Sequence, residues 1–244
     1  MNNVILTDTS LCAIVRDEIE NPAGGIVDFV NSTLPFVESG VIVDTGSVDG
    51  TREKLEELSL KYHGLKIYDR QFDDYSSSRN FSLNKVETKM ALILDADERL
   101  TIKDFENLKK VIGNNPRQGY NFEFYDIYPE GIIRFPLAHN PRLFKVSENT
   151  RYRKKIWEVL YLNDDPFHRI PGAAVATGIA IKHFLSFEEA MDKKYQEWYN
   201  MLDNYYTFEK DYLAVSADLP KRPPSKISSS KLWKAYNPQR DRYR

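Results

Sequence analysis

The chain has 244 residues, 41% of them hydrophobic, with 34 Lys plus Arg set against 36 Asp plus Glu. This excludes collagen-like, largely disordered and membrane-embedded classes and fits one large globular domain with room for a small appendage. The single cysteine, Cys12, excludes an internal disulfide and a zinc–cysteine cluster, and with them a disulfide-stapled secreted fold.

Taken in chain order, the first 95 residues alternate short apolar runs with helical patterns, the signature of parallel strands joined by helical crossovers. LCAIV (11–15), VIVDT (41–45), LKIYD (65–69) and MALILD (90–95) are rich in aliphatic residues and too short for helices, so they read as buried strands. Between them, Ile26, Val30 and Leu34 recur at four-residue spacing, and Leu55 and Leu58 at three, each giving one buried helical stripe. The spacing predicts a helix over 101–112. Strand-like stretches follow at 119–127, 132–135, 142–146 and 174–183 with no convincing helix between them, so the second half is expected to be a mixed or antiparallel extension. A last helix is expected from Ser186 to about Tyr206, opened by Ser186 and Glu189 at capping-box spacing and carrying an aromatic stripe that suits a core. The domain is expected to span residues 1–215.

Residues 216–244 read as a tail. Within 221–244, eight basic side chains face one acidic residue, Asp241, and prolines and a serine cluster resist regular structure. Two readings stand for it: a solvated tail, or an electrostatic arm for an anionic partner such as nucleic acid or a membrane surface, with Trp233, Tyr236 and Tyr243 able to stack or to sit at an interface. No secretory leader is read at the start of the sequence, and no run approaches the roughly 20 apolar residues of a bilayer span. A cytoplasmic location is therefore expected, with peripheral membrane association open through the tail.

In a parallel α/β sheet, ligands bind beyond the carboxyl ends of the strands. Acids stand there: Asp17 and Glu18 after the first run, Asp44 at the end of the second, and Asp95, Asp97 and Glu98 at and after the end of the fourth. Any one of these could be a turn or cap residue. Two carboxylates at i and i+2 leaving a buried strand can instead share a divalent cation with substrate phosphate oxygens, which points to a magnesium or manganese diphosphate site. Neither a P-loop nor a G-x-G-x-x-G turn is present, so a nucleotide hydrolase of that type and a Rossmann dehydrogenase are disfavoured.

Four stretches in order, LCAIVRDE, the D-x-G-S-x-D-G-T run at 44–51, Ser78-Arg79-Asn80 and Asp95-Ala-Asp97-Glu98, resemble the family 2 glycosyltransferases. The match covers residues 10–100 and continues more weakly to about 200. The resemblance implies an A-type α/β fold with a Rossmann-like, mostly parallel central sheet flanked by helices, and a metal-dependent inverting transfer from a nucleotide-diphosphate sugar, UDP-sugar favoured, to an acceptor hydroxyl. It implies that Val15, Glu18 and Asp44 hold base and ribose, that Asp97 ligates Mn²⁺ or Mg²⁺, and that Asp95 reaches ribose or a metal-bound water. A late histidine often completes such a metal site, and His183, ending the run VATGIAIKH, stands in that place. His63, His139 and His168 lack such a setting.

Arg79 is a candidate for the donor diphosphate or for fixing the acidic loop, with a surface ion pair as the plain alternative. Gly46 and Gly50 are read as tight-turn residues and Asp49 as a cap for the helix starting near Thr51. The segment at 139–144 with Trp157-Glu158 resembles the acceptor side of the family, where an arginine strand precedes a His-Glu pair; here tryptophan replaces the histidine. Glu158 is the candidate base, its alternative being a strand-edge pairing with Arg153 or Lys155. The acceptor could be a glycan, a glycolipid or another hydroxyl-bearing polymer. A sugar nucleotidyltransferase and a non-catalytic sugar- or nucleotide-binding protein on the same scaffold are the rival readings.

Overall fold

The computed structural model describes residues 4–128, 131–135 and 140–185, with the backbone alone for 128, 131 and 133–135. The helix expected over 186–206, the tail at 216–244 and His139 lie outside the described residues. Four strands open the fold, β1 (Leu6–Val15), β2 (Val37–Asp44), β3 (Leu65–Asp69) and β4 (Met90–Ile93), separated by α1 (Gly25–Thr33), α2 (Thr51–Lys61) and α3 (Tyr75–Leu83). After β4 come the two-residue β5 (Glu98–Arg99) and α4 (Ile102–Ile112), then β6 (Gly119–Tyr128), β7 (Gly131–Phe135) and β8 (Leu143–Lys145). The short strands β9 (Thr150–Arg153), β10 (Val159–Leu162) and β11 (Asp165–Pro166) precede the long β12 (Ala174–Phe184).

Among the described residues, one large sheet runs in the order β3-β2-β1-β4-β8-β6-β12-β5, with β7 paired to the second half of β6. The first four strands are mutually parallel; β8 is antiparallel to both β4 and β6, so β6 and its parallel neighbour β12 run the same way as β4. The expected mixed extension is thus present. A second, three-stranded sheet, β11-β10-β9, lies apart from it.

The core explains why β1 and β4 read as unbroken apolar runs. Leu11, Ala13, Leu92 and Leu94 pack with Ile26, Phe29 and Val30 of α1, Leu55 of α2 and Phe105 and Leu108 of α4. The alternate residues Cys12, Ala91 and Ile93 pack on the other face with Leu83 of α3 and with Phe144, Tyr152 and Leu160. Both faces are covered, so no polar alternation is needed. Each fully buried aliphatic side chain contributes about 1.5–3 kcal/mol.

Local chemistry sets the helix starts. Thr101 and Asp104 form the capping box of α4, and Asp74 accepts from Ser77 N at 2.7 Å to open α3. Asp49 acts one residue upstream of the expected place, accepting from Thr51 N at 2.9 Å and from Ile19 N at 2.9 Å, so it stitches two loops as well as capping α2. Gly25 is required by packing: a Cβ there would lie 2.3 Å from the Ile19 carbonyl oxygen at a φ of +76°. No described helix is long and apolar enough to cross a membrane.

Candidate active site

Register aligns the ends of the first strands. Val15 pairs with Asp44 and Asp44 with Asp69, while Cys12 pairs with Ile93, so the chain after β4 leaves the sheet beside the end of β1. Val15 is buried, and its carbonyl accepts from both the amide and the hydroxyl of Thr45. The Glu18 amide donates to Thr51 Oγ1 at 2.7 Å, and its carboxylate accepts from Asn21 Nδ2 at 2.8 Å. Asn21 also donates to the Ala96 carbonyl at 2.9 Å, tying this loop to the acidic one.

Asp44 is 3% exposed. Its Oδ1 accepts from the amides of Gly46 and Ser47 at 2.8 Å each, and Gly46 takes a φ of +110°, the turn geometry its sequence context suggests. Its Oδ2 is buried without a hydrogen-bond partner among the described residues, and so is Nε of Arg70, whose amide donates to the Asp44 carbonyl at 2.9 Å. A buried acceptor and a buried donor left unpaired on neighbouring strand ends each cost roughly 1–3 kcal/mol unless something joins them. Sequence reasoning passed over Arg70, which lies just past the apolar run of β3.

The acidic loop is braced by charge. Glu98, 1% exposed, accepts from Asp95 N at 2.9 Å and from Arg142 Nη2 at 2.6 Å. Burial pushes its carboxyl up to about 7, against the pull of Arg142 and with Asp95 and Asp97 adding to the rise. Asp95 accepts from Arg79 Nη2 at 2.7 Å, and its other oxygen is 3.6 Å from Arg142 Nη1. Asp97 Oδ2 lies 3.5 Å from His183 Nε2, and His183 Nδ1 lies 3.0 Å from Asp126 Oδ1. Burial works to lower the imidazole pKa, but Asp97 first and Asp126 next hold it well above the ordinary histidine value.

Arg79 carries the site across to the second half of the chain. Its guanidinium donates through Nε to Glu158 Oε1 at 2.5 Å and through Nη2 to Asp95, above the ring of Tyr152. Arg79 is buried and joined to the acidic loop, so a surface ion pair is not the role it takes. Glu158 pairs with Arg79, while Arg153 pairs with Asp164, so the strand-edge pairing with Arg153 is not adopted. Asn140 pins the segment by donating to the Glu158 carbonyl at 2.7 Å and accepting from Leu160 N at 3.0 Å. Asn80 does the same for β9 through both backbone groups of Tyr152. His63 and His168 are exposed, as their settings suggested.

Of the three expected metal-binding residues, Asp97 and His183 stand together, both about a quarter exposed, while Asp95 is turned to the two arginines. No three His, Cys, Asp or Glu among the described residues form a ready cage. One carboxylate and one imidazole beside solvent suit a cation whose remaining ligands are substrate phosphate oxygens and water, rather than a closed structural site. With Arg70, Asp126 and Arg142 are the candidate site residues to which the sequence reading gave no role. The signal for Asp126 was present: in β6 it shares a face with Tyr120, Phe122 and Phe124, and a lone acid on an apolar face marks a specific partner.

Over 155 residues the chain is 31% identical to a TPR repeat-containing protein of Synechococcus elongatus, a match covering 64% of this chain and 36% of that one. Its structure is similar to Staphylococcus aureus TarS (residues 1–349) in complex with UDP-GlcNAc, with a TM-score of 0.57 at 12% identity, covering 79% of this chain and 63% of TarS 1–349. It is also similar to GalNAc-T7 with UDP, GalNAc and Mn²⁺, with a TM-score of 0.50 at 11% identity, covering 74% and 43% of the two chains. The chain therefore spans about a third of the curated relative and under two thirds of TarS 1–349, and the structural likeness establishes the A-type fold. The profile of glycosyl transferase family 2 matches residues 31–167, more than half of the chain, and the protein belongs to that family.

Proposed function

We propose that this protein transfers a sugar from a nucleotide-diphosphate sugar, a UDP-sugar in preference, to an acceptor hydroxyl with inversion at the anomeric carbon. The observation that carries the reading is the single guanidinium of Arg79 joining Asp95, on the strand-end side of the sheet, to Glu158 on the other. One side holds a donor, the other meets an acceptor, and one cation fixes their separation.

On the donor side, Val15, Glu18 and Asp44 receive the nucleoside. The unpaired Asp44 Oδ2 accepts from an imide N–H and the unpaired Arg70 Nε donates to a neighbouring carbonyl, a pairing that suits uracil and leaves cytosine without its N–H. TarS was solved with UDP-GlcNAc and GalNAc-T7 with UDP, which supports that choice. Mn²⁺ or Mg²⁺ held by Asp97 and His183 would supply Lewis-acid stabilisation of the leaving diphosphate, worth several kcal/mol. Asp95, kept in place by Arg79 and Arg142, is left to reach ribose or a water of the cation's shell. Glu158 takes the proton from the acceptor hydroxyl as its oxygen attacks the face opposite the leaving group. The Arg79 contact fixes the position of this carboxylate, and orientation is the gain it supplies.

The acceptor side is open to a glycan, a glycolipid or another hydroxyl-bearing polymer, and the basic segment 221–244 favours an anionic one. The test is calorimetric titration of UDP, GDP, CMP and dTDP and of their sugar conjugates, with and without Mn²⁺. Tight binding of one uridine compound that strengthens with Mn²⁺ is expected. Failure of every nucleotide to bind sinks the reading.

A further inference from the structure

We propose that Asp126 is the positioning residue of the histidine that meets the cation: it holds the His183 ring with Nδ1 as donor and so turns Nε2 toward the space beside Asp97. This rests on the metal reading above.

The geometry is set by backbone register before any side chain is considered. His183 on β12 pairs with Asp126 on β6 on one side and with Glu98 on β5 on the other, so one row across three strands places the ring beside Asp126 and next to the residue that follows Asp97. Asp126 Oδ1 is 3.0 Å from Nδ1, and Asp97 Oδ2 is 3.5 Å from Nε2. A carboxylate can only accept, so the 3.0 Å contact keeps a proton on Nδ1, and the nitrogen that gives up its proton to ligate is Nε2.

The burial of Asp126 argues against a filler role. It is 5% exposed on a strand face whose other members include Tyr120 and Phe122, both fully buried. An isolated carboxylate there costs several kcal/mol, and its side-chain partner among the described residues is His183. A residue that only tied β6 to β12 could be apolar at lower cost, because the backbone ladder already joins them. Removing the acid would leave the ring free to rotate or to exchange its proton between nitrogens, and outer-shell partners of this kind are worth about 10–100-fold in metal affinity.

The test measures UDP affinity with and without Mn²⁺ for the wild type, Asp126→Ala and Asp126→Asn, and reads the His183 tautomer by ¹⁵N NMR in the metal-free protein at a pH high enough for the ring to be neutral. In the wild type, Mn²⁺ should tighten UDP binding and Nδ1 should carry the proton. In Asp126→Ala the Mn²⁺-dependent gain should fall about 10–100-fold while metal-free UDP affinity stays within about twofold, a split that a general structural defect would not produce. Asp126→Asn, whose amide oxygen accepts from Nδ1 without charge, should recover part of the gain, and it carries the test if the alanine variant does not fold. A wild type that gains from Mn²⁺, with variants that gain equally and keep the Nδ1 proton, overturns the assignment of Asp126 alone. A wild type indifferent to Mn²⁺ overturns the metal reading, and this inference with it.

Discussion

The two halves of the chain bring polar groups to the site by different routes. In β1 to β4 the strands are parallel, and each chemical group follows its apolar run by a few residues: Glu18 after Val15, Asp44 at the end of β2, Arg70 after Asp69, Asp95 and Asp97 after Ile93. In the second half Asp126 lies inside β6, Arg142 just before β8, Glu158 just before β10 and His183 next to last in β12. These four are scattered over nearly 60 residues and converge only through pairing between strands distant in sequence. The first half can thus announce its chemistry locally, whereas the second assembles it by register, and two joins between them matter most to the site: Arg79 with Asp95 and Glu158, and His183 with Asp97 and Asp126.

The sharpest way to break this picture is at the donor join. Asp97→Ala should abolish the strengthening of UDP-sugar binding by Mn²⁺ and reduce turnover by about a thousandfold, the scale of several kcal/mol of lost charge stabilisation. Calorimetry and donor consumption on the same samples check it; retention of Mn²⁺-dependent binding would remove Asp97 from the metal site.

The acceptor join predicts a stability effect next in size. Arg79→Met removes the cation shared by the Asp95 and Glu158 carboxylates and leaves Asp95 with Arg142 alone of the two arginines. Complete burial would put the cost near 3–5 kcal/mol, but the Asp95 side chain is 34% exposed, so about 2–3 kcal/mol is expected, or roughly 5–10 °C in Tm by thermal melting. A Tm unchanged within a degree or two would mean that the halves do not depend on this bridge.

What the sequence made legible follows the same division. Asp44, Asp95 and Asp97 stood out because an acid closing an aliphatic run is conspicuous, and Gly46 and Gly50 because their runs required turns; both glycines take positive φ. His183 was visible as the end of a long apolar stretch. Glu158 was reached through resemblance rather than pattern: β9 and β10 are four residues each, and the arginines that alternate with Thr150 and Tyr152 obscure the buried face. Arg142 was quoted in the sequence but given no role, since its partners Glu98 and Asp95 lie more than 40 residues away. No local period reports such pairings.

Cys12 sharpens the comparison from the seam of the core, where β1 meets Phe144, Tyr152 and Leu160 from the second half. Burial pushes its thiol up to about 11, against the lowering effects of Ser82 and Arg79. Between about pH 9 and 11 the unfolded chain releases this proton and the folded one keeps it, so stability is full below pH 9 and falls by about 2 kcal/mol as pH rises through that window. Chemical denaturation across the window should show the slope, and Cys12→Ala should flatten it. The smallest effect is expected away from both joins: Thr101→Ala removes the capping box of α4 and should cost about 1 kcal/mol with turnover unchanged.

The central claim, one site built from two separately assembled halves, is tested most directly by Glu158→Gln. Donor affinity with Mn²⁺ and transfer to acceptor would be measured together. The account predicts that UDP-sugar binds within about threefold of wild type while turnover falls by about a hundredfold or more, the loss of a positioned base. Turnover equal to wild type, or binding lost in step with turnover, would contradict it.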